Sequence, residues 1–160
     1  MEFKTYESVE RQLAERYFKY SNISDYSLAA IGTFKGTDGE YVHDNGRTVF
    51  EVKVRGFGRE KFQRFILETR KAVELLRYHK QGIRVTYLNF FKEDIGGYSV
   101  VEFDMSARFD YWLSKGKTLN DVSKTINLPK NTASSKGQFV KKLCIMLKPS
   151  PGADKITYID

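Results

Sequence analysis

Two strand-like runs, GEYVHD and RTVFEVKVR, flank Asn45-Gly46, and with Asp38 just ahead they gather acids and a lysine in a short span. Asn-Gly is the strongest short hairpin signal, because both residues accept the positive φ that a type I′ turn requires. A two-residue loop there sets Glu40 opposite Glu51, Asp38 opposite Lys53 and Val42 opposite Val49. Strand alternation then places Asp38, Glu40, Glu51 and Lys53 on one face, with Tyr41, Phe50, Val52 and Val54 on the other. Like charges opposed across a sheet at about 4.5–5.5 Å repel. A hard divalent cation, Mg²⁺ or Mn²⁺, converts that repulsion into coordination and keeps room for waters and phosphate oxygens. On this reading Asp38, Glu51 and Glu40 ligate the metal. Lys53 stabilises charge building on a phosphate or helps to deprotonate an attacking water. The plain alternative is a solvated strand face with an Asp38–Lys53 ion pair, worth a few tenths of a kcal/mol.

The elements that must position these groups follow from periodicity. Residues 6–19 form a helix with Val9, Leu13 and Tyr17 on one side, flanked by Tyr6, Ala14 and Phe18. YSLAAIGTF (26–34) has the composition of a buried strand. Arg59 to Gln81 reads as one long amphipathic helix with Phe62, Phe65, Ile66, Thr69, Val73 and Leu76 as its stripe and Gly82 as its stop. IRVTYLNFF (83–91) and YSVVEFDM (98–105) are further strands joined by KEDIGG. Helix, three strands, helix and two strands make an α+β or mixed α/β fold, a sheet flanked by helices, with residues 1–105 as its core.

Asp38, twelve residues, then Glu51-Val52-Lys53 resembles the Asp…(Asp/Glu)-x-Lys signature of the PD-(D/E)XK nuclease superfamily. The resemblance is particularly to its branches similar to Holliday-junction resolvases and Mrr-type restriction nucleases. Those proteins order a Glu-bearing helix, a three-stranded meander carrying the signature, a helix and another strand, which is similar to the order over residues 6–91. The resemblance implies a restriction-endonuclease-like mixed sheet, Asp38 and Glu51 as Mg²⁺ ligands, and Lys53 as the residue that positions or activates water. It also implies a Glu from the first helix, for which Glu7, Glu10 and Glu15 compete; Glu10 borders the apolar stripe and can point toward the sheet. Gln63, in the helix after the tripeptide, is a further implied site residue. DNA as substrate and a two-fold homodimer are implied as well. Thr37 stands where many members have Pro, and Asp25 is a rival for the first acidic position.

The net charge of +7 is concentrated. Residues 1–104 carry 17 basic against 16 acidic side chains, whereas 105–148 carry nine basic against two acidic. A basic surplus of this kind favours a polyanionic partner. TLNDVSKTINLPKNTASSKGQFVKKL (118–143) reads as a basic helical segment resembling a helix-turn-helix, whose second helix turns Lys130, Lys136, Lys141 and Lys142 toward DNA phosphates. KITYID reads as a terminal strand packed on the same domain. Phe109, Tyr111 and Trp112 read as the anchor of a helix on the sheet, with base stacking as the alternative. One cysteine, Cys144, fits a reducing, cytoplasmic setting, and a charged start and the lack of a long apolar run argue against a signal peptide or membrane span. One Cys and two His make a zinc site unattractive, and no phosphate-binding glycine loop is present. The expectation is a metal-dependent endonuclease that hydrolyses DNA phosphodiesters. The alternatives are a non-catalytic DNA-binding protein on the same fold and, third, a protein–protein adaptor.

Overall fold

RVTYLNFFK at 84–92 is apolar at both odd and even positions, a composition that suits only a strand covered on both faces. In the computed structural model, which describes residues 3–29, 36–44, 46–56, 58–59, 65–129, 137–150 and 153–160, that strand is central. The elements are α1 (Phe3–Tyr20), β1 (Tyr26–Leu28), β2 (Gly39–His43), β3 (Gly46–Arg55), β4 (Phe65–Glu68) and α2 (Thr69–Lys80). They continue with β5 (Arg84–Lys92), β6 (Tyr98–Asp104), α3 (Met105–Ser114), β7 (Ser123–Pro129), β8 (Phe139–Leu147) and β9 (Lys155–Ile159). One mixed sheet has the order β1-β2-β3-β5-β6-β9, with β3 and β5 parallel and the other neighbours antiparallel. A second, antiparallel sheet has the order β4-β8-β7.

Each face of the large sheet has its own core. On one side α1 buries Leu13, Ala14, Tyr17 and Phe18 against Phe50, Val52, Leu88, Phe90 and Val100. Phe18 and Phe50 meet edge-on at 5.2 Å between ring centres. On the other side Val49, Val85, Phe91, Val101 and Phe103 pack under α2, α3 and the small sheet, through Ala72, Leu75, Phe109, Phe65 and Ile145. Gly39 lets β1 approach closely, because a Cβ there would strike the Ser27 carbonyl and the Phe50 ring. Gly82 takes φ 82° to end α2, as its position after the helix requires.

The order α, three strands, α, two strands holds, with one insertion and one reversal of type. Residues 65–68 are strand β4 rather than the middle of a long helix, so α2 starts at Thr69. Its buried residues are Thr69, Ala72 and Leu75, while Val73 is exposed. The Phe-Ile-Leu-Glu run continues an apolar stripe in phase with a helix, and its pairing with β8 decides in favour of strand. The expected helix-turn-helix is a β-hairpin: β7 and β8 pair from Ser123↔Ile145 to Pro129↔Phe139. Thr-Ile-Asn-Leu alternates at period two, a short signal that a helical reading overlooks, while Phe-Val-Lys-Lys-Leu-Cys-Ile does not alternate and takes its form from the pairing. The strand read over 26–34 is described only as β1, and residues 30–35, with Asn45, Gln63, Lys130 and Lys136, lie outside the described residues. Phe109 and Trp112 do anchor α3 on the core, leaving Tyr111 exposed. Among the described residues no helix is long and apolar enough to cross a membrane.

The last strand is fastened by a buried ion pair. Arg108 of α3 meets Asp154 at 2.6 Å through Nη1 and donates from Nη2 to the Lys148 carbonyl. The Asp154 carboxylate also accepts the N–H groups of Asp104 at 2.9 Å and Ser150 at 2.6 Å. Burial alone would raise the Asp154 pKa, but Arg108 and these N–H groups hold it below the usual range. Asp154→Ala leaves Arg108 uncompensated and should cost about 3–5 kcal/mol in urea unfolding. A loss under roughly 1 kcal/mol, the scale of a surface pair, would show that the clasp is dispensable.

Candidate functional site

The site lies where the β2–β3 ladder stops. Gly39 opposite Phe50 is its last strand pair, and the Asp38 N–H still reaches the Phe50 carbonyl at 3.1 Å. Past that point β3 runs on alone on its β2 side, with β5 alongside only on the other. Its exposed N–H groups are taken by side chains instead. Asp38 Oδ2 accepts from Val52 at 2.7 Å, and the Glu10 carboxyl, arriving from α1, accepts from Val54. An absent strand is thus replaced by two carboxylates.

Cations from both sides meet these acids. Arg11 of α1 sets Nη1 2.9 Å from Asp38 Oδ1 and donates from Nε to the Ala29 carbonyl at 3.0 Å. Lys71 of α2 lies 2.9 Å from Glu51 Oε1, and Lys53 lies 3.9 Å from Glu10 Oε1. Glu51 is buried, and among the described residues its other oxygen, Oε2, has no hydrogen-bond partner. Lys53 is partly exposed at the mouth of the group. The helix that delivers Glu10 and Arg11 is itself pinned: Tyr17 donates to Glu102 at 2.6 Å and Tyr41 donates to the same carboxylate at 3.0 Å. Burial, then the Glu102 charge, raise both tyrosine pKa values.

The hairpin register differs from the expected one. His43 pairs with Gly46, so the turn falls between them, and Asp44 takes φ 49°. Asp tolerates the left-handed region, which releases Gly46 into the strand. Moving the loop by one residue shifts each pairing by two, and the faces are therefore kept. Asp38, Glu40, Glu51 and Lys53 still share a side, but the opposed pairs change. Glu40 faces Val49 and binds Arg47, so it does not meet Glu51 and is not part of the acidic group. Val42 faces Arg47, and it is Asp38, not Glu40, that follows the ladder toward Glu51. Asp25 is exposed beside Val42 near the turn, remote from Glu51. Of the helix acids, Glu10 points to the sheet and Glu15 to solvent. Lys141 is exposed on β8, and Lys142 is paired with Glu68 at 2.8 Å.

Sequence reasoning missed Arg11 and Lys71. Arg11 follows Glu10 at the edge of the buried stripe, a position from which its long side chain reaches the sheet. Lys71 was hidden by the long-helix reading, which put the wrong side of α2 against the core.

Burial raises the Glu51 pKa, the Asp38 charge adds to it and Lys71 partly offsets both, leaving it at about 8. Glu10 is raised chiefly by burial, with Lys53 opposing. Burial lowers Lys71, yet the Glu51 charge outweighs it and holds Lys71 above its ordinary value. The arrangement is a buried carboxyl with one open oxygen, a second carboxylate held rigidly, and two ammonium groups alongside. Among the described residues no three His, Cys, Asp or Glu side chains converge as a metal-holding group. Asp38 with Glu51 is the pair that suits a hard cation, since Mg²⁺ commonly takes one or two carboxylates and completes its shell with water and phosphate. No family model matches the sequence, and no curated protein or solved structure matches the chain.

A raised folded-state pKa means that the native protein binds a proton the unfolded chain has released. Stability should therefore fall as pH rises from about 4.5 to about 8, the interval between the unfolded and folded values of Glu51. Glu51→Gln should flatten that decline in denaturant titrations across the interval. An equally steep decline in the variant would assign it to another group.

Proposed function

We propose that the protein is a metal-dependent endonuclease of PD-(D/E)XK type that hydrolyses DNA phosphodiester bonds. The observation that carries this reading is the open, buried Glu51 Oε2 beside Asp38 at the point where the β2–β3 ladder ends. A buried carboxylate oxygen without a partner costs free energy unless something binds it. The order α1, β1 to β3, α2 and β5, with β4 inserted before α2 and β5 parallel to β3, also supports a restriction-endonuclease-like arrangement.

Asp38 and Glu51 would hold Mg²⁺ or Mn²⁺, which when bound supplies Lewis acidity toward a phosphoryl oxygen and a more acidic water. The remaining work falls to this chain's own side chains. The Val52 N–H and Arg11 fix both oxygens of Asp38, so no reorganisation is needed when substrate arrives. Lys71 orients Glu51 through Oε1 and leaves Oε2 free. Lys53, at the mouth, places positive charge where a phosphate gathers negative charge. Glu10 holds the Lys53 ammonium in place and accepts the Val54 N–H.

A second reading, DNA binding without cutting, has its own support. Arg11 and Lys71 already pair with Asp38 and Glu51, so both acids have a protein partner without an ion.

Purified protein incubated with branched, nicked and single-stranded DNA plus Mg²⁺ or Mn²⁺ should cut at least one of them. Glu51→Ala and Lys53→Ala should each lose about 10²-fold or more. Binding without cutting by the unaltered protein would favour the second reading. Independently of activity, Mg²⁺ should raise the melting temperature of the unaltered protein and not of Glu51→Gln, because a ligand bound only to the native state stabilises it. Equal shifts in both proteins would remove Glu51 from the ligand set.

A further inference from the structure

The β7–β8 hairpin outruns the sheet that roots it. β4 pairs with β8 only from Glu68↔Cys144 to Phe65↔Leu147, whereas β7 pairs with β8 as far as Pro129↔Phe139. Residues 125–129 and 139–143 therefore run on as a two-stranded ribbon, over about 13 Å at 3.3 Å per residue. One face of it shows Thr125, Asn127, Lys141, Leu143 and Phe139, with Phe139 65% and Leu143 40% exposed. The opposite face, with Ile126, Leu128, Val140 and Lys142, is half-buried, so the exposed apolar groups are confined to this one face and invite a partner there.

Charge identifies that partner. From Val122 to Ala153 the sequence has six lysines and no acidic residue. On the exposed face Lys141 carries the charge, and a second copy of the same ribbon would bring like charge to it in a basic stretch, whereas a polyanion complements it. The shape narrows it further. The B-DNA major groove, about 12 Å wide, admits a two-stranded ribbon. Asn127 and Lys141, directly opposite each other, are the side-chain types that read adenine and guanine edges or hold phosphates, while Phe139 and Leu143 suit thymine methyl groups. The ribbon's other face is joined to the acidic site. Lys142 binds Glu68 at 2.8 Å, and Glu68 immediately precedes the helix whose Lys71 binds Glu51.

We propose that the β7–β8 ribbon enters the major groove of duplex DNA and delivers that duplex to the Asp38–Glu51 site. This inference rests on the reading of the protein as one that acts on DNA. The measurement is the anisotropy of a labelled duplex, and of its single strand, with divalent ions chelated so that no cutting intervenes. Phe139→Ala combined with Lys141→Ala should weaken duplex binding about tenfold or more, and Lys141→Ala alone should reduce the log–log salt slope by about 0.9. Lys141→Arg should retain affinity. A duplex carrying glucosylated hydroxymethylcytosine, which blocks the major groove, should bind worse, while the minor-groove ligand netropsin should not compete. Unchanged duplex affinity in the double variant would overturn the proposal, as would an equal loss on single strands or displacement by netropsin. A shift from dimer to monomer in Phe139→Ala with DNA affinity unaltered would instead assign the ribbon to self-association and overturn it too. The two readings fail separately. Ribbon-dependent duplex binding without any cutting sinks the endonuclease and leaves the ribbon, whereas cutting by a double variant of full affinity does the reverse.

Discussion

The structure turns on one hydrogen bond, from the Val52 N–H to the Asp38 carboxylate. A strand edge without a partner must place its polar groups somewhere. Here a charged side chain takes the place of a neighbouring strand, and charge-assisted bonds of this kind are about twice as strong as neutral ones. The substitution ends the ladder without leaving a bare edge, and it opens a gap through which α1 reaches β3. Glu10 and Arg11 occupy that gap, and the Tyr17–Glu102–Tyr41 bridge keeps α1 at the correct height. Without the early end of β2, Glu10 and Arg11 would be separated by the sheet from Glu51 and Lys53, which lie on the face of β3 opposite Phe50 and Val52.

Gathering Glu10, Asp38, Glu51, Arg11, Lys53 and Lys71 in a partly buried space is a poor way to gain stability. Desolvation of each charge offsets most of the Coulomb attraction, and apolar replacements often do as well. The group is arranged unevenly: Asp38 has both oxygens engaged, whereas Glu51 has one engaged and one open. That asymmetry is what separates it from the Arg108–Asp154 clasp, whose acid is bonded at both oxygens to groups that never leave it.

Local patterns carried much of this into the sequence. The α1 stripe, the central β5 and the same-side placement of Asp38, Glu51 and Lys53 follow from periods of 3.6 and 2, which do not depend on distant contacts. Glu40 was misplaced because turn chemistry at Asp44-Asn45 and at Asn45-Gly46 is nearly equivalent, and a shift by two preserves faces while changing partners. β4 and the β7–β8 hairpin were misread because each takes its form from strands far along the chain: Phe65 needs Leu147, and Ser123 needs Ile145. Arg11 and Lys71 were invisible for a related reason, since no spacing rule links α1 or α2 to a gap in a sheet.

The pairing of Glu68 with Cys144, and of Val101 with Ile156, has a kinetic meaning. Contacts between residues so distant along the chain require large loops to close before any reward is gathered, which slows folding relative to helical proteins of similar size. The local pairs β1–β2–β3, β5–β6 and β7–β8 can zip early. The acids near Glu51 are then first assembled in open water, and their desolvation waits for α2 and β5 to dock, placing the costliest electrostatic step late on the route to the native state.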